Sequence, residues 1–159
     1  GTASAVAAHL LYGTIVMTEH SLWRLSRAIH RALSDNQYDE LESVLDDNIE
    51  WTIYGPIDMF GFFGTHRGKP AVIAVIRQIA GMIRLVRFDR EAVMLSEETA
   101  ASLMRYTLTA KTSSQSMSVR LAQFAQFKGG RLTNMRVLVD TFDLVEQVLG
   151  RAIHLPKIA

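Results

Sequence analysis

Asp140 is the side chain best placed for proton chemistry, because it follows Val137, Leu138 and Val139 directly and so sits beside apolar groups. Burial there would raise its pKa toward the range useful for proton transfer, while a nearby cation such as Arg105 would lower it. The competing reading is that Asp140 caps a helix over residues 141–149, whose first N–H groups favour a carboxylate. Arg105 shares a strand face with Leu103 and Thr107. Facing a cavity, it would orient an anionic or carbonyl oxygen; facing outward, it would pair with an acid on a neighbouring strand. His66, within Gly64-Thr65-His66-Arg67-Gly68, is either an acid/base at a pocket mouth or a solvated loop residue. The five histidines show no paired ligand spacing, which argues against a metal site. The glycines of GFFGTHRGKP lack the spacing of a phosphate loop.

The elements that must hold these groups are legible from the end of the chain backward. Two strand-like runs, SVRLAQFAQF and RLTNMRVLVD, flank Lys128-Gly129-Gly130, and an amphipathic helix follows over 141–149. A hairpin with one apolar face needs cover, which the earlier helices supply. Leu22, Leu25, Ile29, Ala32 and Leu33 recur at helical spacing over 21–33. Asp39 caps a shorter helix reaching residue 45, and Pro70 begins an apolar helix to residue 80 that Gly81 closes. Ile49, Trp51 and Ile53 alternate with polar residues in a strand over 49–54. The loop IDMFGFFGTHRG carries Ile57, Met59, Phe60, Phe62 and Phe63, which would fold over a cavity mouth or meet another subunit. Strands over 85–95 and 101–110 turn at residues 96–99 and lead through a polar loop at 111–115 to the last hairpin. The fold class is α+β: three helices, then a four-stranded meander, plus the early strand. Residues 18–159 read as a single domain, with Thr18 as a helix N-cap. Residues 1–17 read as an appended apolar extension, a short helix lying on a neighbouring apolar surface, with a residual signal peptide as the alternative.

Composition narrows the function classes. A hydrophobic share of 48% with 21% charged residues is that of a folded domain, not of a disordered segment. A net charge of +1 leaves no electrostatic footprint for nucleic acid or an anionic membrane. The absence of cysteine excludes thiolate chemistry and disulfides, and suits a reducing compartment such as the cytoplasm. No apolar run reaches the roughly 18–20 residues that span a bilayer.

The order of these elements carries a resemblance. A helix, a short helix ending in DDNIEW, a Gly-Pro loop, GTHRG leading into a helix, and four strands closing on MRVLVDTFDLVEQVLG are similar to the SnoaL-like branch of the nuclear transport factor 2-like superfamily. The likeness covers roughly residues 20–150. It implies a cone-shaped bent antiparallel sheet wrapped around three N-terminal helices, the cystatin-like α+β roll. It also implies an apolar pocket for a small molecule, a homodimer, and no cofactor. Positions matching the ketosteroid isomerase tyrosine and two aspartates hold Ile29, Ile53 and Gln123, so that chemistry lacks its base, and Gln123 retains one hydrogen bond for a carbonyl. Relative to the epoxide hydrolases, Arg105 and Asp140 match, but Thr107 stands where a second carboxylate belongs. Polyketide cyclases need one aspartate near the end of the last strand, which Asp140 supplies. The resemblance therefore implies a cofactor-free isomerase or cyclase of an apolar carbonyl compound, with Asp140 as acid/base and Arg105 and Gln123 polarising oxygen. Trp51, Ile53, Tyr54, Phe60, Phe63, His66, Thr107 and Met135 would shape its pocket. The alternative is a non-catalytic ligand-binding or dimerisation module on the same fold.

Overall fold

The computed structural model describes residues 2–55 and 60–149. Helices α1 (Thr2–Asp35) and α2 (Asp39–Val44) lead into strands β1 (Leu45–Tyr54) and β2 (Gly64–Arg67). Helix α3 (Lys69–Met82) precedes β3 (Ile83–Leu95), β4 (Thr99–Ala110), β5 (Ser116–Lys128) and β6 (Arg131–Val139), and α4 (Thr141–Leu149) follows.

The apolar stripe of α1 buries Leu22, Leu25, Ala28, Ile29 and Ala32 against the sheet, as its spacing predicts. The helix is longer than that stripe. Thr18 lies inside it, donating its hydroxyl to the Thr14 carbonyl and accepting the Glu98 N–H, so it ties α1 to the β3–β4 turn instead of capping a helix. Residues 2–13 continue the same helix with every side chain exposed, and Thr14 and Ile15 are half-buried. Tyr38, not Asp39, occupies the N-cap of α2, without a side-chain bond. In α3, Pro70 sits in the first turn as expected. Gly81 does not stop the helix, which runs to Met82 and passes directly into extended backbone at Ile83.

One sheet holds all six strands in the order β2-β1-β6-β5-β4-β3. Every pair is antiparallel except β1–β6, which is parallel. The bent antiparallel sheet is thus as expected save at this one pair: the chain passes through β2, α3 and the whole meander before β6 returns beside β1, and so long a connection permits parallel pairing. Strand β2 forms where the sequence reads as loop, pairing Gly64 to Arg67 with Ile53 to Glu50. The preceding Phe60, Phe62 and Phe63 stack on one another, with ring centroids 4.8–5.8 Å apart. Gly129 and Gly130, at φ +58° and +78°, make the tight β5–β6 turn in a left-handed conformation that glycine adopts without steric cost. Register shifts in β3, at Leu85/Arg87 and Arg90/Ala92, and between Gln126 and Phe127 of β5 bend the sheet around the helices.

A Cβ on Gly55 would lie 2.3 Å from the ring of Phe63, so the end of β1 depends on that aromatic packing. Gly55→Ala is expected to destabilise the fold by about 1–3 kcal/mol through overpacking. Chemical denaturation should show Gly55→Ala/Phe63→Leu costing less than the two single changes together; additive costs would mean that the ring does not bear on the glycine.

Candidate functional site

The inner face of the sheet and the helices enclose a cavity of about 530 Å³. Alternation along the strands builds its walls: Leu108 of β4, Val119 and Leu121 of β5, and Val137 of β6 all point inward. Ile29 and Leu33 of α1, Ile76 and Ile79 of α3, and Leu144 of α4 close over them, with Phe60 and Phe62 at one side. Exposed Thr112, Ser113 and Gln115 of the β4–β5 loop form a polar rim.

At the buried end the lining turns polar. Tyr106 is 8% exposed and Gln123 4% exposed. The Gln123 amide donates from Nε2 to the Tyr106 hydroxyl at 3.2 Å. With that lone pair occupied, the phenolic proton is free to be donated elsewhere. Burial pushes the Tyr106 phenol up to about 12, against the lesser opposing effects of the Gln123 hydrogen bond and the positive charge of Arg90. The phenol therefore stays neutral at physiological pH and acts as a donor. Trp51 also lines the cavity, and its buried indole N–H finds no partner among the described residues. No carboxylate or histidine lines the cavity among the described residues.

The side chains singled out from sequence divide between the two faces of the sheet. Trp51, Ile53, Phe60 and Gln123 line the cavity. Phe63 and Met135 are buried in the core, outside the lining. Asp140 corrects the expectation of an acid held among apolar groups. It is exposed beyond the end of β6; its Oδ1 accepts the Asp143 N–H at 3.2 Å and its carbonyl accepts the Leu144 N–H, which is the capping geometry of α4. Arg105 and Thr107 alternate with inward Met104, Tyr106 and Leu108, so they face outward. Arg105 pairs with Glu91 at 3.2 Å and donates to the Ser118 hydroxyl at 3.1 Å, which is the neighbouring-strand ion pair. Tyr54 also faces outward, and His66 is held 3.0 Å from the Phe62 carbonyl, away from the cavity. The residue that sequence reasoning missed is Tyr106. Its signal is the alternation Ala100, Ser102, Met104, Tyr106, Leu108, a less charged face than the one carrying Arg105.

A second hollow of about 790 Å³ lies on the outer face, lined by Tyr54, Met94, Phe124, Arg136 and Leu138 among others. The inner cavity is the better ligand site, because helices cover it and its apolar walls hold a buried, hydrogen-bonded Tyr106–Gln123 pair. Among the described residues no helix is long and apolar enough to cross a membrane, and no group of three or more His, Asp or Glu is placed to hold a metal.

A curved, open sheet of six strands curled over helices around an apolar interior is the cone of the nuclear transport factor 2-like proteins. Residues 26–135 match the SnoaL-like domain, and the chain belongs to that family. A protein from Rhodopseudomonas palustris named "Putative Isomerase" is 61% identical, with a TM-score of 0.81 over 83% of this chain and 98% of that one. An NTF2-like protein of unknown function from Burkholderia pseudomallei shares the fold at 20% identity and a TM-score of 0.70, over 83% of this chain and 97% of that one. An LEH-like epoxide hydrolase from M. tuberculosis does so at 16% identity and a TM-score of 0.61, over 88% and 92%. No curated protein matches the sequence.

Because the Tyr106 phenol is raised from 10.0 to about 12, stability that is fully present below pH 10 should be lost as pH rises toward 12. The unfolded chain loses the phenolic proton first in that window and so gains relative to the fold. Two pKa units correspond to about 2–3 kcal/mol at most. Urea titrations at pH 9 and pH 12 should show a smaller alkaline loss for Tyr106→Phe than for the parent; equal losses would refute the buried, neutral phenol.

Proposed function

We propose that the chain binds a small, largely apolar molecule through one acceptor oxygen, held by the Tyr106 hydroxyl at the closed end of the cavity. The observation that carries this reading is the Gln123–Tyr106 hydrogen bond of 3.2 Å, which frees the phenolic proton for a ligand in an apolar cavity. The Trp51 indole N–H stands ready as a second donor. The catalytic alternative is a cofactor-free isomerase or cyclase, with Asp140 as acid/base and Arg105 polarising oxygen. It draws support from the name of the 61% identical relative. That Asp140 and Arg105 both stand outside the cavity lining favours the binding module. The cysteine-free composition suits work in the cytoplasm.

We further infer a homodimer formed through the outer face of the sheet. Tyr54, Phe124 and Leu138 are 46–47% exposed and Met94 is 75% exposed around one hollow, an apolar patch that a two-fold copy of itself would cover. Sedimentation at micromolar concentration should give a dimer that Leu138→Arg converts to monomer. A parent protein that sediments as a monomer would rule this out.

For the cavity, 2-acetylnaphthalene supplies a rigid apolar body with one carbonyl. Calorimetry should show it binding the parent, with Tyr106→Phe weakening it roughly 3- to 10-fold, the worth of one hydrogen bond. Asp140→Asn should bind as the parent does. Equal affinity in Tyr106→Phe would remove the anchor. An Asp140→Asn protein that loses a turnover the parent performs would restore the catalytic reading.

A further inference from the structure

Arg90 is a partly buried cation whose surroundings offer no anion. It lies on β3 opposite Met104, while Phe88, two residues back, lies opposite Tyr106. Arg90 and Tyr106 are thus diagonal neighbours on the inner face of an antiparallel pair, where long side chains come within reach of each other. Its guanidinium stacks over the Trp23 ring of α1, 4.4 Å from the centroid, and donates from Nη2 to the buried Ser26 hydroxyl. Its buried Nε finds no partner among the described residues. The acids on either side of it in sequence are engaged elsewhere: Asp89 with Arg87, and Glu91 with Arg105 and Arg120. Ser102, 5% exposed on the same inner face of β4 and opposite Gln123, also has a hydroxyl without a partner among the described residues.

Burying a charge without a counter-charge is costly, and proteins retain such an arrangement where a ligand supplies the missing sign. The contacts made by Arg90 across to α1 and β4 are with Trp23, Ser26 and Met104, and Tyr106 lies on the diagonal. None of these is an acid, and the flanking Asp89 and Glu91 face the other side of the sheet. The positive charge is felt at the Tyr106 hydroxyl. That hydroxyl is where the proposed ligand places its oxygen.

We propose that the cavity selects an anionic oxygen, the carboxylate or enolate of an otherwise apolar molecule, with Arg90 acting through Tyr106 as the residue that sets charge preference. The proposal rests on the binding reading above and adds the charge of the ligand. Arg90 is a positioning residue, since it stands behind the cavity lining and not in it.

The test compares 2-naphthoate, an anion, with 2-acetylnaphthalene, a neutral carbonyl of similar shape, by calorimetry at neutral pH. The parent should bind naphthoate more tightly. Arg90→Met should weaken naphthoate roughly tenfold or more, as removal of a unit charge in a low-dielectric interior would, and leave the ketone within about twofold. Arg90→Lys should recover most of the naphthoate affinity. Equal weakening of both compounds by Arg90→Met would mean that Arg90 only supports the fold, and would overturn the proposal. The parent comparison needs no variant: a parent that binds the ketone better than naphthoate overturns it as well, while leaving the binding reading intact. A parent that binds neither compound removes both.

Discussion

The inner face of the sheet is longer than the stretches of helix packed on it, since α1 buries side chains only from Thr18 to Ala32, and the cavity follows from that mismatch. Strands β3 and β5 have 13 residues each, about 43 Å at roughly 3.3 Å per residue. Helix α3 has 14 residues, about 21 Å at roughly 1.5 Å per residue. Helix α1 crosses the sheet with one apolar stripe, and α4 adds a short cap at the end of β6. Bulges bend the long strands around this smaller cover. The result is a closed core near Leu25, Leu41 and Leu132 and a hollow toward the β4–β5 loop. Filling that hollow would take only larger side chains. A chain that keeps aliphatic walls around empty space forgoes packing energy that a ligand would restore.

Beyond the Thr112, Ser113 and Gln115 rim, the buried polar groups of the hollow include donors that a ligand oxygen could use. A phenol with its lone pair occupied by Gln123, an unpartnered indole N–H and a guanidinium behind them all look for electron density. No carboxylate or imidazole stands in the described lining. A site that abstracts protons needs a carboxylate or imidazole within hydrogen-bond reach of the reacting carbon, and geometry takes precedence over pKa in that judgement. On the proposed reading, this donor set would recognise an oxygen that already carries negative charge or draws it toward itself. Desolvation strengthens each of these hydrogen bonds, because water is not there to compete.

Much of the architecture was legible because it rests on local rules. The apolar stripe from Leu22 to Leu33, the Gly129-Gly130 turn and the alternation of β5 each fix an element through a few neighbouring residues. Strand β2 was not legible: four residues with a central His66 and flanking glycines become a strand only because β1 offers an edge to pair with. The site was half legible. Trp51, Ile53 and Gln123 follow from position in the fold. Arg105 drew notice for its chemistry, yet the phase of β4 is decided by which side meets the core, and Met104, Tyr106 and Leu108 win that contest. Asp140 had two readings compatible with its sequence, and the start of α4 one residue later gave the carboxylate nearer partners than any cavity wall did.

The same alternation explains how charge is sorted across the sheet. In β3, Asp89 and Glu91 face outward and Arg90 faces inward, so three consecutive charged residues are split between two environments. Outside, Glu91 bridges Arg105 and Arg120, and Arg87 answers Asp89, a network open to water and worth little to stability. Inside, the Arg90 guanidinium meets no acid among the described residues. The register shift between Arg90 and Ala92 falls immediately after it, so the inward phase of β3 ends at the arginine. A slip of one residue before that bulge would turn Asp89 and Glu91 toward Tyr106 and reverse the sign of the field at its hydroxyl. Strand phase at a few positions thus decides whether the interior offers acids or donors, and the described lining here carries no acid.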